Sequence, residues 1–133
     1  MRRLIVGLMI FLCAVVAAAQ VPAGPKKGGN PEAAAIKNPV PPTAESVSAG
    51  RRVYQRLCGK CHGPEGQGDG TAATGAVPAD LTDEKFDFGS SDGDLFAVIH
   101  DGTSADMEGY AQRMSDAEIW NVVNYLKSLR TKK

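Results

Sequence analysis

Residues 56–66 read Arg-Leu-Cys-Gly-Lys-Cys-His-Gly-Pro-Glu-Gly, "RLCGKCHGPEG". Two cysteines, Cys58 and Cys61, stand three positions apart; a histidine, His62, follows the second, and a glycine-rich exit begins at Gly63. The spacing C-x-x-C-H is the attachment pattern of a covalently bound haem, and its reason is geometric. Haem carries two vinyl groups on one edge of the ring. Cysteines one turn of chain apart can each form a thioether to one of them. The next residue then projects over the ring face, where an imidazole nitrogen can bind the iron. Cys58 and Cys61 are the expected anchors and His62 the expected proximal ligand.

Two other uses of the same residues fit less well. A redox C-x-x-C lies at a helix N-terminus, where the dipole lowers a thiol pKa. Here the helical pattern precedes Cys58, Gly63-Pro64 follows, and no βαβ pattern surrounds it. A structural zinc site needs four ligands in a tetrahedron, and the sequence has no second cysteine pair to supply them. The run "GPEGQGDG" at 63–70 lacks the Gly-Lys-Ser/Thr ending of a phosphate loop. Its glycines read better as tight turns beside a large flat ring.

The chain has 133 residues, enough for one small domain. Arg2 and Arg3 precede an apolar run over 4–19 that ends in Ala17-Ala18-Ala19-Gln20, the small-residue pattern of a signal-peptidase site. That run is shorter than the about 20 residues of a membrane span. Residues 1–19 are therefore expected to be a secretory signal, with a retained N-terminal anchor as the alternative. Export implies the periplasm, possession of a membrane attachment depending on that anchor. Cys13 would leave with the signal, so that only Cys58 and Cys61 remain. Losing Arg2 and Arg3 takes fifteen basic residues to thirteen against fifteen acidic ones. A net charge near −2 gives no global argument for nucleic acid.

Residues 20–43, "QVPAGPKKGGNPEAAAIKNPVPPT", are rich in Pro, Gly, Lys and Ala and have no apolar period. Such a stretch is expected to be a flexible linker or tail, because it buries too little surface to offset its ordering entropy. The folded domain is then 44–133.

Three helices are legible there, and no strand. The first covers about 46–57, with Val47, Val53, Tyr54 and Leu57 on one face and Gly50 on the same stripe. A mid-helix glycine costs up to about 1 kcal/mol relative to alanine, so it points to a close approach by another helix. The second starts at Ser91, with Asp94 at its third helical position, and stops at Gly102. Leu95, Phe96, Val98 and Ile99 form its apolar face. The third follows a capping box, Ser115 with Glu118, and Met114 before it can pack on Ile119 as a hydrophobic staple. Its apolar positions are Ile119, Trp120, Val122, Val123, Tyr125, Leu126 and Leu129. The fold class expected is all-α.

A sixth iron ligand could come from Met107, Met114 or His100. Met114 is spoken for as the staple, and His100 lies near a helix C-terminus, where a cationic imidazole suits the dipole. Met107 lies in an irregular loop after that helix, where a scaffold delivers ligands readily, and it is the preferred candidate. A His/Met pair raises the reduction potential. Asp80, Asp83, Glu84 and Asp87 show no acid/base pairing and read as a solvated turn. Arg51, Arg52, Arg56 and Lys60 read first as a solvated face and second as a docking patch that would act on association rate.

Together, "AGRRVYQRLCGKCHG", "FGSSDGDLFAVIHDG" and "MEGYAQRMSDAEIWNVVNYLKSL" resemble the small monohaem class I bacterial cytochromes c over nearly all of 46–129. The resemblance implies three to four helices wrapped around one covalent haem c, and a monomeric electron carrier, not an enzyme, that serves redox protein partners. It implies that the first and last helices cross where Gly50 and Tyr54 meet Val122 and Tyr125. It aligns the family's methionine ligand with Met107, and it makes Pro78 the equivalent of the proline near the carbonyl that holds the proximal histidine. Phe96, Tyr110, Trp120 and Val123 would keep water from the ring. Where the family often has proline after the methionine, this chain has Glu108-Gly109, which implies a looser loop and a more open sixth position. An open position would suit a gas or peroxide sensor; a dedicated dehydrogenase subunit is a further alternative.

Overall fold

The alternating caps and apolar stripes of the sequence become helices at the expected places. The structure, a computed structural model, describes residues 24–130, so the expected signal segment lies outside the described residues. The helices in chain order are α1 (Pro31–Ala34), α2 (Ala44–Leu57), α3 (Gly59–His62), α4 (Asp92–Asp101) and α5 (Asp116–Arg130). Among the described residues no strand forms, and the only bridge pairs Gly102 with Glu108. The three long helices are those expected; the short α1 and α3 are additions.

Helix α2 begins two residues earlier than its apolar pattern suggests, because Thr43 caps it by accepting from the Ser46 N–H at 3.2 Å. Helix α4 has the expected Ser91/Asp94 capping box and ends at Gly102, whose φ of 76° only glycine adopts without strain. The Ser115/Glu118 box precedes α5: Glu118 N–H donates to Ser115 Oγ, and Ser115 N–H returns a bond to the Glu118 carboxylate at 3.0 Å.

Packing follows from these faces. Helices α2 and α5 make the most extensive interhelical contact, with α4 against α5 next. All seven apolar positions read on α5 are buried, as are Val53 and Tyr54 of α2, while Val47 and Leu57 are partly buried at the edge of the core. Met114 and Ile119 lie in the same buried cluster, as a staple requires. On α4 Ala97 is fully buried and Val98 only half-buried, so its inward stripe is Leu95, Phe96 and Ile99 with Ala97 beside it. The α2–α5 crossing is tight at Gly50. A Cβ there would lie 2.5 Å from the Asn121 carbonyl carbon and 3.0 Å from Tyr125 Cβ. Gly50 thus meets Tyr125, as expected, and lies closest to the backbone of Asn121. Tyr54 does meet Tyr125, with ring centroids 5.2 Å apart.

The reading of 20–43 as a flexible linker is corrected for 24–43, which forms a strap across α4 and α5. Gly28 N–H donates to the Asp87 carbonyl. Asn30 is buried; its N–H donates to Asp94 Oδ1 at 3.0 Å, while its side chain caps α1 by accepting from Glu32 N–H. Ala33 is fully buried, and the Gly93 backbone leaves no room for a Cβ beside the Ala33 carbonyl. Asn38 Nδ2 donates to the Trp120 carbonyl at 3.0 Å and to Asn124 Oδ1 at 2.9 Å. Asn124 in turn donates to the Val40 carbonyl and to Ser46 Oγ. The strap is ordered by asparagine hydrogen bonds together with Ala33, Ile36 and Val40, isolated apolar residues without a helical period that pack inward, and hydropathy patterning cannot report that kind of order.

Candidate functional site

The Cys-x-x-Cys-His stretch sits at the junction of α2 and α3. Cys58 ends α2, its N–H donating to the Tyr54 carbonyl at 2.8 Å, and it opens α3 by accepting from Cys61 N–H at 3.1 Å and His62 N–H at 3.0 Å. One turn of chain thus holds both thiols and the imidazole. Gly63 stops the turn at φ 82°, and the buried Tyr54 hydroxyl fixes it by donating to the Gly63 carbonyl at 2.7 Å. Both cysteines are free and partly exposed. Burial, with a smaller contribution from Cys61, pushes the Cys58 thiol up to about 12. A redox C-x-x-C needs the opposite shift at its first cysteine, so Cys58 lacks the lowered pKa of a thiol–disulfide nucleophile.

The loop after α3 folds back over the turn. Gly68 N–H donates to the His62 carbonyl at 2.9 Å, and Ala72 N–H to the Lys60 carbonyl at 2.9 Å. His62 Nδ1 lies 3.2 Å from the Ala79 carbonyl. A carbonyl can only accept, so Nδ1 is the donor in this contact, which leaves Nε2 as the lone-pair nitrogen of the neutral imidazole. The carbonyl that faces His62 is thus that of Ala79, the residue directly after Pro78. Pro78 locates the right turn, but its own carbonyl packs on Gly68, where a Cβ would come within 2.6 Å.

Met107 is half-buried in the loop between α4 and α5. Its carbonyl accepts from Thr103 N–H at 2.9 Å, and its N–H donates to the Ser104 carbonyl at 3.2 Å. The resemblance implied that Glu108-Gly109 loosens this loop; the packing corrects that. Gly102 and Gly109 approach so closely that a Cβ on Gly102 would lie 2.5 Å from the Met107 carbonyl oxygen. A Cβ on Gly109 would lie 2.5 Å from that of His100. Tyr110 N–H and Ala111 N–H then bond the carbonyls of Ile99 and His100 at 2.9 and 3.1 Å. Gly109 is what allows the loop to clasp the end of α4.

The competing sixth-ligand candidates have other engagements. Met114 is buried in the core. His100 stacks on Phe96, and its Nδ1 lies 2.6 Å from Asp101 Oδ1. Phe96 is inside the core, stacked on Trp120 with centroids 4.1 Å apart. Tyr110 lies nearer the attachment turn: its hydroxyl donates to the Leu57 carbonyl at 3.2 Å, and Arg113 covers its ring at 4.4 Å. Burial, then the neighbouring Cys58, raises the Tyr110 pKa. Asp80 and Asp83 accept from Thr82 and Lys85 within their own turn, so these two carboxylates brace the turn. Arg51, Arg52, Arg56 and Lys60 are exposed. Sequence reasoning missed the Tyr54 hydroxyl, because the residue also fits an apolar stripe, and the Ala79 carbonyl, for which the only signal is the preceding proline.

This donor set fits covalent haem: two free thiols and an imidazole with its Nδ1 already engaged, on one turn. Residues 47–130 match the family model of cytochrome c. Among solved structures, a chain of the reducing HAO-like protein complex Kustc0457/Kustc0458 of Kuenenia stuttgartiensis is similar at 34% identity, with a TM-score of 0.64 over 72% of this chain and 48% of that one. Cytochrome cL of the marine methylotroph Methylophaga aminisulfidivorans is 22% identical, with a TM-score of 0.56 over 65% of this chain and 57% of that one. Cytochrome c6 of the diatom Phaeodactylum tricornutum is 24% identical, with a TM-score of 0.51 over 65% of this chain and 95% of its own. The chain thus spans about half the length of the first of these. The matched region begins within α2, so the strap is an addition to it. The fold is that of the class I c-type cytochromes, and the chain belongs to the cytochrome c family, whose members carry covalently bound haem c and transfer electrons.

Proposed function

We propose that this chain is an exported single-electron carrier in which Cys58 and Cys61 would hold the haem through thioethers and His62 Nε2 and Met107 Sδ would bind its iron. When bound, haem supplies a one-electron couple between ferric and ferrous iron. The observation that carries the reading is the bond from His62 Nδ1 to the Ala79 carbonyl, which orients the imidazole and leaves Nε2 as its lone-pair donor. Tyr54 holds the turn that carries the ligand, through the Gly63 carbonyl. On the other side, the clasp of Gly102 and Gly109 holds Met107 to the end of α4, which supports a fixed ligand. Tyr110 beside Leu57 and Cys58 limits water at the attachment edge. A thioether ligand of this kind favours the ferrous state relative to a second nitrogen. No described helix is long and apolar enough to cross a membrane, and export rests on the signal pattern at 1–19, with the periplasm as destination.

A second reading is a dedicated electron-transfer subunit. It is favoured by the 34% identity to a chain whose structure is that of a reducing HAO-like protein complex. Copurification of the natively expressed chain with one oxidoreductase would support it.

The test is an optical spectrum of the haem-loaded protein, oxidised and reduced, with and without carbon monoxide. His/Met ligation gives a ferric sulfur-to-iron band at long wavelength and no response to carbon monoxide. Ready carbon monoxide binding with no such band would refute Met107 as ligand and favour a gas- or peroxide-binding role.

A further inference from the structure

The two loops that flank the site meet at one carboxylate. Loop 67–79 is fixed to the attachment turn by Gly68 N–H on the His62 carbonyl, by Ala72 N–H on the Lys60 carbonyl and by the Ala79 carbonyl on His62 Nδ1. Its tip reaches the Met107 loop, where Ala76 N–H donates to Asp106 Oδ2 at 3.3 Å. Gly75 makes this approach possible, since a Cβ there would lie 2.5 Å from Asp106 Cγ. Asp106 is itself braced, its N–H donating to Ser104 Oγ at 3.2 Å, and the same hydroxyl accepts from Met107 N–H at 3.3 Å. Chain connections therefore run from His62 through loop 67–79 to Asp106 and directly into Met107.

We propose that Asp106 is a positioning residue that latches the loop on the histidine side to the loop carrying Met107, and so holds the sixth ligand against exchange. This rests on Met107 being that ligand. The latch acts on ligand opening, not on the stability of the helices: neither Asp106 nor Ala76 belongs to a helix or to the buried cluster. An external ligand can bind only when the methionine is displaced, so its apparent affinity reports the open population. Loss of one exposed hydrogen bond should raise that population by about two- to tenfold.

The experiment is cyanide titration of the ferric, haem-loaded protein, read at the sulfur-to-iron band, with melting followed separately by far-ultraviolet circular dichroism. Asp106→Ala should raise cyanide affinity by about two- to tenfold and leave the melting temperature nearly unchanged. Asp106→Asn keeps a side-chain oxygen for Ala76 N–H and should recover most of the wild-type affinity. Gly75→Ala, which displaces the carboxylate from the other side, should reproduce the effect in the wild-type background and add nothing in Asp106→Ala. Wild-type cyanide affinity in Asp106→Ala, or equal effects of Gly75→Ala in both backgrounds, would overturn the proposal. Met107→Ala separates the two levels of the argument. If it keeps the wild-type band and cyanide affinity, Met107 is not the ligand and the latch falls with that reading.

Discussion

Replacing Gly50 by alanine tests whether the α2–α5 crossing sets the stability of this fold, and the competing effects have opposite signs. Helix propensity alone favours the change by up to about 1 kcal/mol. Packing opposes it. The new methyl would lie 2.5 Å from the Asn121 carbonyl carbon and 3.0 Å from Tyr125 Cβ. Ordinary carbon contacts are near 3.5 Å, so the helices must separate by roughly 1 Å. The obstacle is α5 backbone, which cannot rotate aside as a side-chain tip can. Overpacking of this kind costs about 1–3 kcal/mol, and the rigid obstacle puts Gly50→Ala at the upper end. The separation would also loosen the Tyr54–Tyr125 pair, whose centroids are 5.2 Å apart. The net expectation is a loss of about 2 kcal/mol, which for a domain of this size lowers the melting temperature by on the order of 10 °C. Far-ultraviolet circular dichroism on the ferric, haem-loaded protein would measure it. A variant that melts at or above the wild-type temperature would show that propensity wins and that the crossing is not tight.

Asn38→Ala should destabilise the haem-loaded protein by about 1–3 kcal/mol, because the buried Asn124 and the Trp120 carbonyl lose their donor. Its optical spectrum should stay that of the wild type, since the strap touches α4 and α5 and not the attachment turn; an unchanged melting temperature would return 24–43 to the status of a loose tail. Glu118 has its pKa lowered, first by the Ser115 backbone N–H and then by the Ser115 hydroxyl. Its stabilising effect is therefore fully present above the unfolded carboxylate pKa and is lost as pH falls through the lower folded value. Urea midpoints of wild type and Glu118→Gln should differ at neutral pH and converge in acid, and a gap that is constant with pH would contradict the capping role.

Helices α4 and α5 were legible to the residue because their ends carry local chemistry, whereas α2 was legible only from its apolar stripe. Ser91/Asp94, Ser115/Glu118 and Gly102 are caps whose function depends on neighbours within four residues. The attachment turn was legible for the same reason, with its chemistry inside five consecutive residues. What escaped depends on partners far along the chain. The strap is held by Asn30 on Asp94, 64 residues away, and by Asn38 on Asn124, 86 residues away. An isolated asparagine in a Pro/Gly-rich stretch has the same local appearance whether or not such a partner exists. Gly109 shows the same limit. Local reasoning sees a flexible residue, whereas the fold uses its missing Cβ to bring the Met107 loop against α4. At Pro78 the proline marks the turn, and only the three-dimensional path decides that the adjacent Ala79 carbonyl is the one that faces His62.

The central claim is that Cys58 and Cys61 hold haem covalently. Its most direct test is the intact mass of the protein, expressed with a working haem-attachment pathway and measured in denaturing solvent that removes any non-covalent haem. The expected mass is that of the polypeptide plus one haem, falling to bare polypeptide when both cysteines are replaced by alanine. A wild-type mass equal to the polypeptide alone, or two hydrogens lighter as a Cys58–Cys61 disulfide would make it, would contradict the account.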